Sequence, residues 1–203
     1  MSITLYSGSY CPYSHRCRIV LGEKQMDVDI CEVDLNDKPE ELALYNPYNR
    51  VPVLVDRGLK LHESNIINEY LDDRFPHPQL MPTEIMNRAR VRLTMYIMDC
   101  EIFSQVDLLE KKTTKKQRQD AARQKIRDEL LKMVGYLSYG NHYMIGDEFT
   151  ILDAAIAPLL WRLEHYRISL PSQATALSKY AERIFSRPQF GESLTTIEKA
   201  MRK

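Results

Sequence analysis

No stretch of this chain approaches the ~20 consecutive apolar residues that a membrane-spanning helix needs. Its opening, Met1-Ser2-Ile3-Thr4-Leu5, lacks the basic-then-apolar order of an export signal. A cytoplasmic location without membrane attachment is the expectation. Net charge is missing as well: 28 Lys and Arg residues balance 28 Asp and Glu residues, so no global field draws the molecule toward phosphate, and no direct nucleic-acid binding is expected. Cysteine is scarce. The four thiols, Cys11, Cys17, Cys31 and Cys100, are too few and scattered for a disulfide framework and include no pair of Cys-x-x-Cys clips for zinc. His15, His62, His142 and His165 lie far apart and form no local ligand motif, so no metal site is expected. Also lacking are internal repeats, low-complexity tracts, a glycine-rich phosphate loop and a serine-hydrolase elbow.

What is present is an ordinary globular composition, 44% hydrophobic and 28% charged over 203 residues. The first ~75 residues alternate β-rich and helical runs, and the remainder reads as helices. Ile3–Tyr6 predicts a strand, Cys11-Pro12-Tyr13-Ser14 opens a helix, and Val28–Val33 alternates as a second strand before a weak helix over 39–44. Val51–Val55 and Leu59–His62 flank Asp56-Arg57-Gly58 as an antiparallel hairpin. Glu63-Ser64 starts a third helix with Ile66, Ile67, Tyr70 and Leu71 as its buried stripe. Pro76, Pro78 and Pro82 break the pattern, giving domains 1–75 and 84–203 with a linker at 76–83. Beyond it, helices are predicted over 84–112 with Leu93, Ile97 and Cys100 buried, 116–137, and 152–166, with two shorter helices after. Thr150 and Asp153 form a short-armed capping box before an apolar run expected to be the central helix.

Charge is local despite the zero sum. Residues 27–41 are acidic and 111–127 basic, which reads either as solvated faces or as docking surfaces of opposite sign. Cys11 precedes Pro12 at a helix start, where open backbone N–H groups and the helix dipole favour a thiolate. With Ser14 where a dithiol enzyme has its second cysteine, only one-thiol chemistry with an external thiol fits, and a plain loop thiol is the alternative. Cys31 and Cys100 fall on apolar patterns and are expected in the core. A cis bond at Val51-Pro52 would leave backbone groups free to pair with a peptide-like ligand, and Ser64 at a helix N-terminus offers donors to a carboxylate. Pro76-His77-Pro78 reads either as a rigid linker or as an exposed ring held at low entropic cost, as a protein-binding hot spot requires.

Cys11-Pro12-Tyr13-Ser14, Asn46 to Leu54, Glu63-Ser64 and Thr150 to Asp153 resemble, in order and spacing, the glutathione S-transferase superfamily over nearly the whole chain. Glu69 to Pro82 and Ala157 to Leu163 resemble its stringent starvation branch, whose members associate with RNA polymerase. The resemblance implies an α/β thioredoxin-like N-terminal domain plus an all-α C-terminal domain. It implies a transcription regulator that binds RNA polymerase holoenzyme through protein surface, at Tyr70, Pro76, His77 and Pro78. Pairing is implied as a homodimer or as a heterodimer with a paralogue, and transferase activity is generally absent. Retention of Cys11, Pro12, Tyr13, Ser14, Val51, Pro52, Glu63 and Ser64 keeps a glutathione-like pocket open as the alternative, a glutathione-dependent transferase or one-thiol reductase using Cys11; no cofactor is required, with glutathione as the candidate ligand.

Overall fold

The computed structural model describes residues 3–137 and 140–202; Met1, Ser2, residues 138–139 and Lys203, which the expected domain boundaries include, lie outside the described residues, as does the side chain of Tyr136. Four strands, β1 (Thr4–Gly8), β2 (Asp29–Val33), β3 (Val53–Asp56) and β4 (Leu59–His62), form a sheet in the order β2-β1-β3-β4. β1 and β2 are parallel and joined through helix α1 (Pro12–Glu23), as parallel neighbours require a crossover. The β1–β3 and β3–β4 pairs are antiparallel. Arg57 and Gly58 both take positive φ, 50° and 90°, the conformation of a tight two-residue hairpin turn.

Alternation sorts the sheet's two faces. Tyr6, Val53 and Val55 cluster with Leu42 of α2 (Glu40–Tyr45) and with Val33 and Tyr45. Leu5 and Leu54, in register, point the other way, the side on which α1 and α3 (Ser64–Arg74) pack on each other and on the sheet. Ile67 and Leu71 are buried as expected, but Ile66 is 54% exposed and Tyr70 half-buried, because the inner stripe of α3 runs through Ser64, Asn68 and Asp72 instead.

The chain divides into two units, 1–81 with 186–201, and 82–185 with Arg202. The first unit thus includes α9 (Pro188–Ser193) and α10 (Thr196–Lys199), which the sequence reading placed in the helical half. Charged contacts hold them there. The Arg18 guanidinium makes a fork on the Glu198 carboxylate at 2.7 and 2.6 Å, and Arg187 pairs with Glu23 at 2.6 Å. Gly22 admits the backbone of Gln189, whose carbonyl would stand 3.2 Å from an added Cβ. The expected linker is docked too: Leu80 and Met81 are buried, and their N–H groups donate to Asp72 at 2.8 and 2.9 Å.

The second unit contains α4 (Ile85–Met98), a π-helical segment (Asp99–Phe103), α5 (Ser104–Glu110), α6 (Lys116–Leu137), α7 (Ile151–Trp161), and α8 (Thr175–Phe185) after a 3-10 turn at Ser172–Ala174. Three helices, not two, therefore follow α7 among the described residues. The single helix expected over 84–112 is interrupted by the π segment, and its buried stripe is a different one. Val91, Met95, Met98, Ile102 and Val106 are buried, whereas Leu93 is 59% and Ile97 48% exposed, with Cys100 exposed beside them. Two apolar stripes satisfy helical spacing here, and the longer one is inside. Cys31 is also not core: it lies half-buried on β2, the sheet's edge. α7 is buried from Ile151 to Leu160, and its Thr150–Asp153 capping box forms as expected, with Asp153 accepting from the Thr150 N–H, the Thr150 hydroxyl, the Met144 N–H and the Tyr180 hydroxyl.

Candidate functional site

Cys11 is the N-cap of α1, with extended backbone, and Pro12 occupies the first helical position, where a missing N–H costs nothing. The remaining first-turn N–H groups open toward the cap residue. The residue is 8% exposed, and its Sγ lies 3.9 Å from the carbonyl oxygen of Val51. The Val51–Pro52 bond is cis. Gly8 sits so close that an added Cβ would stand 2.9 Å from the Cys11 Cβ and 3.0 Å from a Val51 methyl, so the end of β1, the cap of α1 and the approach to β3 converge without room for a side chain at residue 8. Ser14, fully buried, fastens this corner by accepting the Gly8 N–H at 3.1 Å. It is a structural hydroxyl here rather than an exposed one.

Ser64 heads α3 and meets α1 at Arg16 and Cys17. Its hydroxyl accepts from Arg16 Nη1 at 3.2 Å, and its carbonyl lies 3.8 Å from the Cys17 Sγ. Arg16 also reaches the Asn65 side chain at 3.4 Å and lies over the Tyr13 ring at 5.3 Å. Glu63, the cap of α3, has φ of 70°, a left-handed conformation unusual for a residue with a Cβ and tolerated where the surroundings over-determine it. Its carboxylate stays exposed, 3.7 Å from His62. Cys11, Ser14 and Val51 thus meet around the end of β1, with Pro12 and Tyr13 in the first turn of α1 and Pro52 after Val51, while Ser64, preceded by Glu63, meets the same helix further along at Arg16 and Cys17. The sequence reading missed Arg16; an arginine amid an apolar helical run is the signal that marked it for a buried partner. Cys17 is no resolving partner, since burial pushes its thiol far up and keeps it protonated.

The other end of α3 carries the second candidate. Lys24, buried at the end of α1, donates to Asp72 at 2.5 Å and to the carbonyls of Phe75 and Pro78, both at 2.6 Å. The same Asp72 carboxylate takes the N–H groups of Leu80 and Met81. One buried ion pair therefore holds four points of a loop whose tip, Pro76-His77-Pro78-Gln79, is exposed. The His77–Pro78 bond is cis. Tyr70 does not point to this loop: its hydroxyl donates to Asp56 on β3 at 2.6 Å, beside Arg74 at 2.9 Å from the same carboxylate. Burial first, then that hydrogen bond, pushes the Tyr70 phenol up and keeps it a donor. Lys24 and Asp72 were not foreseen, because they are 48 residues apart and meet only through the packing of α1 on α3.

The acidic residues of 27–41 are exposed along β2 and the turn after it, and Lys111, Lys112, Lys115, Lys116 and Arg118 are exposed around the start of α6. Among the described residues no group of three or more acidic, histidine or cysteine side chains is placed to hold a metal, and no helix is long and apolar enough to cross a membrane.

Models for the glutathione S-transferase N-terminal and C-terminal domains match residues 1–73 and 86–188. A Coxiella burnetii protein named stringent starvation protein A homolog is 41% identical over 202 residues, covering 99% of this chain and 95% of that one. Glutathione S-transferase omega-2 of Rattus norvegicus is 34% identical over 173 residues, 82% of this chain and 68% of its own. A solved structure of rice GST1 in complex with glutathione superposes with a TM-score of 0.85 at 26% identity, covering 99% of this chain and 95% of that one.

Proposed function

The chain belongs to the glutathione S-transferase superfamily and, within it, to the stringent starvation protein A family, and from that membership we propose that it is an RNA polymerase-associated regulator of starvation transcription acting in the cytoplasm. The observation that carries the assignment to a surface is the loop at 76–79. Association is strongest where a small, partly apolar patch is already ordered before the partner arrives. Lys24 and Asp72 supply that order by fixing the loop's backbone from beneath, leaving Pro76, His77 and Pro78 exposed at its tip. With zero net charge, long-range steering is weak and buried anchors set the lifetime of the complex. Tyr70, tied to Asp56, supports α3 from behind rather than joining the contact.

The test is a pull-down of polymerase holoenzyme with wild type and with Pro76 and His77 both changed to alanine. The variant should melt close to wild type, because the changed side chains are exposed, yet lose about 2 kcal/mol or more of binding. Equal recovery by a variant that melts normally moves the interface to the acidic 27–41 or basic 111–127 segment.

A second reading rests on the corner around Cys11. A thiol at a helix start, beside the Val51 carbonyl and on the helix that Ser64 meets at Arg16 and Cys17, is the arrangement a glutathione-dependent transferase or one-thiol reductase uses. It requires glutathione to bind at millimolar concentration and to bind more weakly when Ser64 is changed to alanine. No heat of binding at that concentration removes this reading and leaves the polymerase one untouched.

A further inference from the structure

In the second unit, a cleft of about 340 Å³ opens beside the end of α7 and the length of α8. Its walls are mostly apolar, including Leu160, Leu163, Ile168 and Leu177. At its mouth Trp161 and Phe185 meet edge to face, with ring centroids 5.0 Å apart and an interplanar angle of 86°. The π face of such a ring attracts a cation. One is already there: the Arg202 guanidinium lies 4.6 Å from the Phe185 centroid and 5.4 Å from that of Trp161, and it pairs with the Glu182 carboxylate. Two aromatic faces and one carboxylate converging on a planar cation are the components of a guanidinium site, since both ring distances fall within the ~6 Å reach of cation–π attraction.

We propose that Trp161, Phe185 and Glu182 form an arginine-binding box, held in this conformation by the chain's own Arg202 and able to accept an arginine side chain of a protein partner once Arg202 leaves. Arg202 is 32% and Glu182 63% exposed, so their ion pair is in contact with water and can be exchanged for another arginine's. The apolar cleft behind the box is open to the residues flanking an incoming arginine. A lysine fits less well, because an ammonium has no plane to lay on the rings and no fork for the carboxylate. The site is separate from the loop at 76–79 and independent of the polymerase reading.

Trp161 is the only tryptophan in the sequence, so its fluorescence reports the box directly. Arg202→Ala and Arg202→Ser both open it, and neither removes a buried group. Titration of either variant with N-acetyl-arginine amide should shift the Trp161 emission saturably. In wild type the same titration should need about tenfold more ligand or beyond, since the internal arginine must first be displaced. N-acetyl-lysine amide should be clearly weaker, and adding Phe185→Ala or Glu182→Gln to R202A should abolish saturation. An unsaturable response in both opened variants overturns the proposal, as does an equal response from wild type or from the lysine compound. Either result makes Arg202 only a cover over apolar surface.

Discussion

Buried charges in the first unit do more to shape it than its cysteines do. Arg18 and Glu198 are both at most 6% exposed and lie 180 residues apart, and Arg18 also reaches the Ser7 hydroxyl at 2.5 Å and the Ser193 carbonyl at 2.9 Å. Replacing Glu198 with alanine strands a guanidinium in the interior and should cost about 3–5 kcal/mol, read as a lower urea midpoint at unchanged slope. Thiol behaviour separates by the same logic of burial. Iodoacetamide should leave Cys17 unmodified until the protein unfolds, because its thiol is buried and held protonated; modification of Cys17 in the folded chain, read by peptide mass, contradicts the packing of α1 on α3. Cys11, Ser14, Val51, Pro52 and Ser64 were legible as a set, since fixed chain spacing brings strand end, helix start and hairpin entry together in this fold. Arg16 and Lys24 were not, for the partners of a long side chain depend on which helices pack, and that is a property of the whole unit.

Individual helices show where pattern reading succeeds and where it divides. α7 was legible because a run apolar on nearly every side admits no choice of face, and its cap was written in Thr150 and Asp153. Changing Asp153 to alanine leaves four donors, the Met144 and Thr150 N–H groups and the Thr150 and Tyr180 hydroxyls, facing a gap, and should cost about 3 kcal/mol or more in a thermal or urea melt. α4 offered two stripes, and spacing alone could not rank Leu93-Ile97-Cys100 below Val91-Met95-Met98. Its start carries a pH signature. The N–H groups of Met86 and Asn87 hold the Glu84 carboxyl below its ordinary value. A depressed folded-state value stabilises the helix above the unfolded value and is lost as pH falls through the folded one. Wild type should therefore lose more stability than Glu84→Gln across that acidic window; parallel melting curves for the two would remove the cap's role.

At the scale of the molecule, the division after Met81 was legible in the prolines, but the return of residues 186–201 to the first unit was not, since it rests on Arg18, Glu23 and Thr195 finding partners across the whole sequence. The same scale decides what becomes of the stripe that α4 leaves outside. Leu93, Tyr96, Ile97 and Cys100 recur at helical spacing on one exposed face, with Ile85 and Met86 exposed at the start of the same helix. A run of large apolar side chains of this kind is more than the scattered exposure that monomers tolerate. We propose that two-fold pairing of chains would cover this face with its own copy, because an isologous contact needs only self-complementarity, and apolar side chains supply it. Sedimentation at micromolar concentration should return about twice the 23.8 kDa of one chain, and Leu93→Glu with Tyr96→Glu should return a single mass without lowering secondary-structure content. A wild-type chain that sediments at one mass leaves this face for a different protein, and a heterodimer with a paralogue then becomes the pairing to seek.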